Sequence, residues 1–233
     1  MEHGVAVILF LLIIAYAWAS YFVPEYLSPW AITVIGSVVI AWKVRQMFKL
    51  RRELLCVKLG MKGEIVVGQA LEELRQHGYK VYHDIIGRDR QTGEERFNFD
   101  HVLVGPGGVY VIETKTRSKS PDASPEITYS KGEIRVDGMK PDRNPIEQVK
   151  NLAETLRQRL QRDTNQRPPV RPVVVYPGWW INGSSTGKDV WVLNEKCLPG
   201  FLAHEDEHLT EEQINTLAAQ LARYSREGLR PVQ

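Results

Sequence analysis

Cysteine is almost absent from this chain: Cys56 and Cys197 lie far apart and outside any C-x-x-C or Cys/His ligand spacing. A structural zinc site is thereby excluded, and a reducing compartment is the natural expectation. An excess of charge is also lacking, since 30 Lys and Arg against 28 Asp and Glu leave a net charge of +2. No global field therefore draws the chain onto a polyanion, and nucleic-acid binding must rest on local features. There is no internal repeat and no low-complexity tract, which excludes solenoids and biased tails. What remains is 233 residues, 43% hydrophobic, enough for one substantial globular domain plus an appendage.

The longest stretch without charge is "VAVILFLLIIAYAWASYFV", residues 5–23. As a helix it measures about 28 Å, close to the hydrocarbon thickness of a bilayer. A shorter run at 26–42, "YLSPWAITVIGSVVIAW", places Tyr26, Trp30 and Trp42 where interfacial aromatics sit. Together they predict a transmembrane helical hairpin over residues 1–43 with "PEYLSP" as its turn. A cleaved signal peptide fits less well, because "MEHG" lacks a positive n-region and a second apolar run follows. A buried soluble hairpin is disfavoured by the length of the uncharged run. Residues 44–58 then form a basic juxtamembrane linker. Lys43, Arg45, Lys49, Arg51, Arg52 and Lys58 face a single acid, Glu53, so the positive-inside rule places the N-terminus and the domain at 59–233 in the cytoplasm. The same cations suit lipid headgroups better than DNA.

From residue 60 the pattern is α/β. "GMKGEIVVGQALEELRQHG" puts Val67, Ala70, Leu71 and Leu74 on one helical face, with Glu64 in the first turn and Gly78 as the stop. "YKVYHDI" alternates like a strand, and "EITYSKGEIRVDG" reads as a hairpin around Lys131 and Gly132. Asn144 caps a helix that begins at Pro145 and repeats apolar residues from Ile146 to Leu160. Strands follow in "RPPVRPVVVYPGWW" and "DVWVLN", and a last helix starts after Thr210. The order predicts one sheet flanked by helices.

The stretch "NFDHVLVGPGGVYVIETKTRSK", residues 98–119, carries the chemistry. In "GPGG", Pro106 and Gly107 suit the two central positions of a type II turn, with positive φ at Gly107. With those two residues as the loop, cross-strand partners have numbers that sum to 213. Asp100 and Glu113 satisfy the sum, and their Cβ atoms are expected about 5 Å apart. Lys115 shares their face, as do Val102, Val104, Val109 and Val111, while Leu103, Tyr110 and Ile112 line the other. Both faces are thus covered.

Two carboxylates that close repel each other and resist burial as charges. A magnesium or manganese ion with oxygen ligands compensates them, and Lys115 adds positive charge. Such a site polarises a phosphodiester and activates water. An Asp/Glu/Lys ion-pair network at a sheet end is the competing reading, and spacing alone leaves both open.

"GMKGE", "FDHVLVGPGGVYVIETK" and "NPIEQ" resemble the nuclease-related domain (NERD), a branch of the PD-(D/E)xK phosphodiesterases, over residues 58–165. The resemblance implies a restriction-endonuclease-like mixed sheet flanked by helices and a metal-dependent nuclease acting on DNA or RNA. By the same resemblance, Asp100, Glu113 and Glu64 hold Mg2+ or Mn2+. Lys115 is the catalytic lysine and Gln148 a supporting polar residue. Asn98 and Phe99 stand where the family usually has Gln or Glu and Ile, which leaves the substrate contacts open. The alternative is a catalytically inactive module that binds nucleic acid or protein at the membrane.

Bland readings accompany several residues. Glu64 suits the positive end of its helix, and Gln148 flanks the apolar stripe as a solvated residue would. His101 faces away from Asp100 and suits packing. The cations Arg117, Lys119, Lys131, Arg135, Lys140 and Arg143 are interspersed with acids. "HEDEH" at 204–208 matches the zinc-protease pattern, but a Thr210/Gln213 capping box starts the helix after both histidines. "GSSTGKD" is one residue short of a phosphate loop and reads as a turn. Trp179 and Trp180 are placed over the sheet edge rather than on bases.

Overall fold

The computed structural model describes residues 8, 11–12, 14–16, 18–19, 21, 29–88, 95–119, 126–130, 132–141, 143–183 and 189–227. It divides into two compact units, Met1–Cys56 and Val57–Gln233.

The first long element is helix α1, Pro29–Glu73. Residues 44–58, expected as a linker, belong to this helix, and every residue from 43 to 58 is exposed. The segment contains no Pro or Gly and is rich in Lys, Arg, Leu and Met, all strong helix formers. Lys49 and Glu53 add an i,i+4 ion pair at 3.9 Å. Among the described residues no helix is long and apolar enough to cross a membrane. Of the expected span at 5–23, residues 8, 11–12, 14–16, 18–19 and 21 are described and are helical; the turn "PEYLSP" lies outside the described residues up to Pro29, and the described part of the second, 29–42, opens α1.

In the second unit α1 passes into a 3-10 turn, Leu74–His77, which Gly78 ends at φ 85, donating its N–H to the Arg75 and Leu74 carbonyls. Only glycine takes that left-handed conformation without cost. The main sheet has the order β1-β2-β3-β6-β8. Its strands are β1 (Lys80–Arg88), β2 (Glu95–Gly105), β3 (Gly108–Thr114), β6 (Val170–Val175) and β8 (Trp191–Leu193). The β1/β2 and β2/β3 pairs are antiparallel, while β3/β6 and β6/β8 are parallel. A fold of mixed sheets with flanking helices is therefore what the chain adopts.

The expected single sheet is divided. β4 (Glu126–Ser130), β5 (Glu133–Val136) and β7 (Trp180–Gly183) form a second sheet of order β5-β4-β7. The reason is edge occupancy: β6 pairs directly along the free side of β3, so the β4/β5 hairpin finds its partner in β7. In consequence Trp180 stands 71% exposed on β7, while Trp179 is buried in the core.

Helix α2, Pro145–Thr164, starts where Asn144 Oδ1 accepts the Ile146 N–H at 3.1 Å. A short helix α3, Leu198–Ala203, precedes α4, Glu211–Glu227. The reciprocal Thr210/Gln213 capping box forms, with N···O distances of 2.9 and 3.3 Å.

Both faces of the main sheet are covered. Val102, Val104, Val109 and Val111 pack with Val149 and Leu156 of α2 and Leu217 of α4. Leu103, Tyr110 and Ile112 pack with Val67, Leu71 and Leu74. Each such side chain contributes about 1.5–3 kcal/mol by leaving water.

The β2/β3 register runs from Gly105↔Gly108 to His101↔Ile112, the sum of 213 throughout. The turn differs from type II, for positive φ falls at Gly108, at 136°, and not at Gly107. Close approach explains the choice of glycine there: a Cβ on Gly108 would lie 2.7 Å from the Pro169 carbonyl oxygen, which accepts the Val109 N–H.

Candidate active site

The β2/β3 ladder stops at His101↔Ile112, one residue short of Asp100 and Glu113. There the Thr114 N–H donates to Asp100 Oδ2 at 2.8 Å, so a side chain satisfies the first backbone donor beyond the ladder. The irregularity extends into β1. His83↔His101 and Ile85↔Phe99 are paired, but the Asp84/Asp100 step between them is not, and Asp84 has φ 51. Side-chain alternation breaks at the same place: Phe97 and Phe99 pack into the cluster of Val102 and Val104, which strict period two would forbid.

Glu113 is only 4% exposed. A buried carboxylate requires partners, and its Oε1 accepts from Lys115 Nζ at 2.6 Å and from Gln148 Nε2 at 2.6 Å. Lys115 Nζ also donates to Gln148 Oε1 at 3.0 Å, closing a triangle. Gln148 is thus more than a solvated helix residue. The Asn144 cap and Pro145 set the first turn of α2, and that turn delivers the amide to the strand end.

Glu64 departs from its expected place in a first turn. It lies well inside α1, which begins at Pro29, so a helix-dipole role at an N-terminus is removed. Burial pushes its carboxyl up, the charges of Asp100 and Asp84 add to the shift, and Lys115 opposes it. Asp100 is pushed up to about 6, first by burial and then by Glu113, against the Thr114 N–H and Lys115. Four acids therefore share one negative region: Glu64, Asp84, Asp100 and Glu113. Asp84 is the member that sequence reasoning missed. Its position opposite Asp100 follows from a β1/β2 register set across residues 89–94, where no tight turn announces it.

Among the described residues no group of three His, Cys, Asp or Glu side chains stands ready to hold a metal ion. The donor chemistry nevertheless fits a hard cation. Magnesium commonly uses one or two carboxylates and completes its shell with water and phosphate oxygens. Asp100 and Glu113 supply such a pair: burial first and the Glu113 charge second raise Asp100, and a cation would offset the second.

His101 stands at the edge of this region, lining with Glu64, His83 and Asp84 a cavity of about 250 Å³. Its Nδ1 lies 2.7 Å from His83 Nδ1, and His83 Nε2 lies 2.8 Å from Glu72 Oε1. A carboxylate only accepts, so His83 carries its proton on Nε2. Burial pushes His101 down to about 3 and keeps it neutral. The histidines of "HEDEH" stand apart from this region: both precede α4, His204 Nδ1 lies 2.6 Å from the Gly200 carbonyl, and the His208 N–H donates to the Pro106 carbonyl. Residues 184–188 of "GSSTGKD" lie outside the described residues.

The chain matches no curated protein and no solved structure. The family model of the nuclease-related domain, NERD, matches residues 59–177, a span that contains Glu64, Asp84, Asp100, Glu113, Lys115 and Gln148. That match covers just over half of the 233 residues, and the chain belongs to the NERD, or nuclease-related domain, family.

Proposed function

We propose that the unit Val57–Gln233 is a metal-dependent nuclease of restriction-endonuclease-like fold, hydrolysing phosphodiester bonds in DNA or RNA. We also propose that residues 5–42 tether it to the cytoplasmic face of a membrane. The observation that carries the enzyme reading is the end of the β2/β3 ladder, where Asp100 accepts the Thr114 N–H and Glu113, the next residue on β3 after the last pair, is held by Lys115 and Gln148. Mg2+ or Mn2+ on these carboxylates, with Glu64 as a further oxygen donor, would polarise the scissile phosphate and favour ionised water.

The chain's own residues supply the rest. Lys115 donates to the Glu113 carboxylate and to the Gln148 carbonyl, which holds its ammonium group where phosphate charge grows. Gln148 fixes both partners at once and acts as a positioning residue. The raised Asp100 value means that lowering the pH toward 6 protonates it and weakens its hold on a cation.

The test is cleavage of plasmid DNA and of RNA by the detergent-solubilised full chain. Cleavage that requires Mg2+ or Mn2+, stops with chelator and falls about 10²–10⁴-fold in Lys115→Ala or Glu113→Ala supports the reading. No cleavage of either polymer, or variants equal to the parent, overturns it.

One observation favours a silent binding module instead. Glu113 Oε1 is already engaged by two donors, and no three-ligand group stands ready among the described residues. Retention of nucleic acid without cleavage at any divalent-ion concentration would select that alternative.

A further inference from the structure

Past Lys115 the chain leaves β3 and runs on as Thr116, Arg117, Ser118 and Lys119 without forming a helix or a strand. The Lys115 N–H still donates to the Val175 carbonyl at 2.9 Å, so this segment is anchored beside the end of β6. It also lies against α1, and Gly63 makes that possible: a Cβ there would stand 2.0 Å from Thr116 Cγ2 and 3.3 Å from Pro177 Cγ. Along this contact opens a cleft of about 290 Å³, bordered by Lys62 of α1, by Arg117 and Lys119, and by Pro177 to Trp179.

Its charge is one-sided. Lys62, Arg117 and Lys119 face a single acid, Glu195, and that acid accepts the Gly178 N–H at 2.9 Å. Lys119 Nζ donates to the Gly178 carbonyl at 2.6 Å and lies 5.8 Å from the centre of the Trp179 ring. Among the described residues, Lys62 and Arg117 form no salt bridge. Two cations that form no salt bridge among the described residues, beside a hydroxyl-bearing strand end, suit a polyanion better than a neutral ligand.

We propose that this cleft is a phosphate-backbone subsite, which seats the nucleic-acid strand that flanks the scissile bond. The inference rests on the nuclease reading for its strand, but on separate residues for its evidence. Three features support it. Lys62 of α1 and Arg117 of the segment after β3 bring two cations to one cleft, whose wall also carries Thr116 and Ser118. Thr116 to Lys119, which wall the cleft, follow directly on Lys115, the lysine that donates to Glu113 and Gln148, so one short segment ties the cleft to the candidate active site. Its volume takes a nucleotide rather than an ion alone. Contacts from Lys62, Arg117 and the Thr116 and Ser118 hydroxyls address phosphate and sugar, so binding here is indifferent to base sequence.

The experiment is fluorescence anisotropy with labelled single-stranded and duplex DNA, on the detergent-solubilised full chain in chelator, where no metal-dependent cleavage occurs. Lys62→Ala/Arg117→Ala is expected to weaken binding about 10- to 50-fold near physiological salt. The log–log salt slope should fall by about 1.4–1.8, two phosphate contacts' worth. Its thermal midpoint should match the parent. Lys80→Ala, at the opposite sheet end where Lys80 pairs with Val104, should change nothing. Unchanged affinity in the double variant overturns the subsite, and so does an equal loss in Lys80→Ala. Loss of binding to anionic-lipid vesicles with DNA binding intact also overturns it, in favour of a headgroup site. Failure here with intact cleavage removes the subsite and spares the nuclease; weakened binding in a chain that never cleaves does the reverse.

Discussion

Buried beside Glu113, the Asp100 carboxyl titrates at about 6 against an ordinary value of 3.8. Between those values the folded state holds more protons than the unfolded chain, so stability falls as pH rises through the window and Asp100 is a cost above it. His101 works the other way. Folded it titrates at about 3, while an unfolded histidine takes its proton near 6.5, so its contribution is lost as pH falls between those limits. Asp100→Asn keeps an acceptor for the Thr114 N–H and removes the charge. It should stabilise the metal-free protein at pH 7.5 by about 1–2 kcal/mol, a figure reduced for partial solvent screening. At pH 4 the difference should vanish. Urea denaturation at the two pH values checks this, and a destabilised Asp100→Asn at pH 7.5 contradicts it. Added magnesium should raise the thermal midpoint of the parent and leave Asp100→Asn almost unmoved, because binding to the folded state alone shifts the equilibrium toward it.

At the scale of elements, the closest fit is between α1 and the segment after β3. Gly63→Ala gains roughly 1 kcal/mol of helix propensity, but its Cβ meets Thr116 Cγ2 at 2.0 Å. The clash should prevail, destabilising by about 1–3 kcal/mol and lowering cleavage with it. Thr116→Ser deletes that methyl, and the next nearest atoms stand at 3.3 and 3.5 Å. The double variant should therefore recover most of the stability, as measured by thermal melting beside both single variants. A lack of recovery means that some other contact limits the fit. The same comparison of elements separates what was legible in the sequence from what was not. The β2/β3 register was legible because a two-residue loop permits one pairing, and the caps at Asn144 and Thr210 because their partners are local. The length of α1 was not: Glu64 read as a first-turn acid, yet it lies inside a continuous helix beside Gly63, which serves a tertiary approach. Asp84 was hidden because β1 pairs with β2 across residues 89–94, whose composition fixes no register. The four residues of β7 were hidden too, since their partner β4 is more than fifty positions earlier.

For the molecule as a whole, the proposal with the widest reach is the tether, and its evidence is an asymmetry of charge. Residues 5–23 hold no charged side chain, whereas 43–58 hold six cations and one acid, all exposed on α1. Insertion follows the bias of Lys and Arg close to the apolar run, which retains that flank on the cytoplasmic side. Two spans then return the N-terminus to the same side. In intact cells that produce the chain with a C-terminal epitope, external protease should leave the epitope whole, and permeabilisation should expose it to cleavage. Alkaline carbonate should fail to release the chain, while detergent should release it. Replacing Lys43, Arg45, Lys49, Arg51 and Arg52 with Gln removes most of the bias and should render part of the population cleavable from outside. Release by carbonate sinks the tether itself, and cleavage of the parent's epitope in sealed cells sinks the orientation while leaving the tether standing.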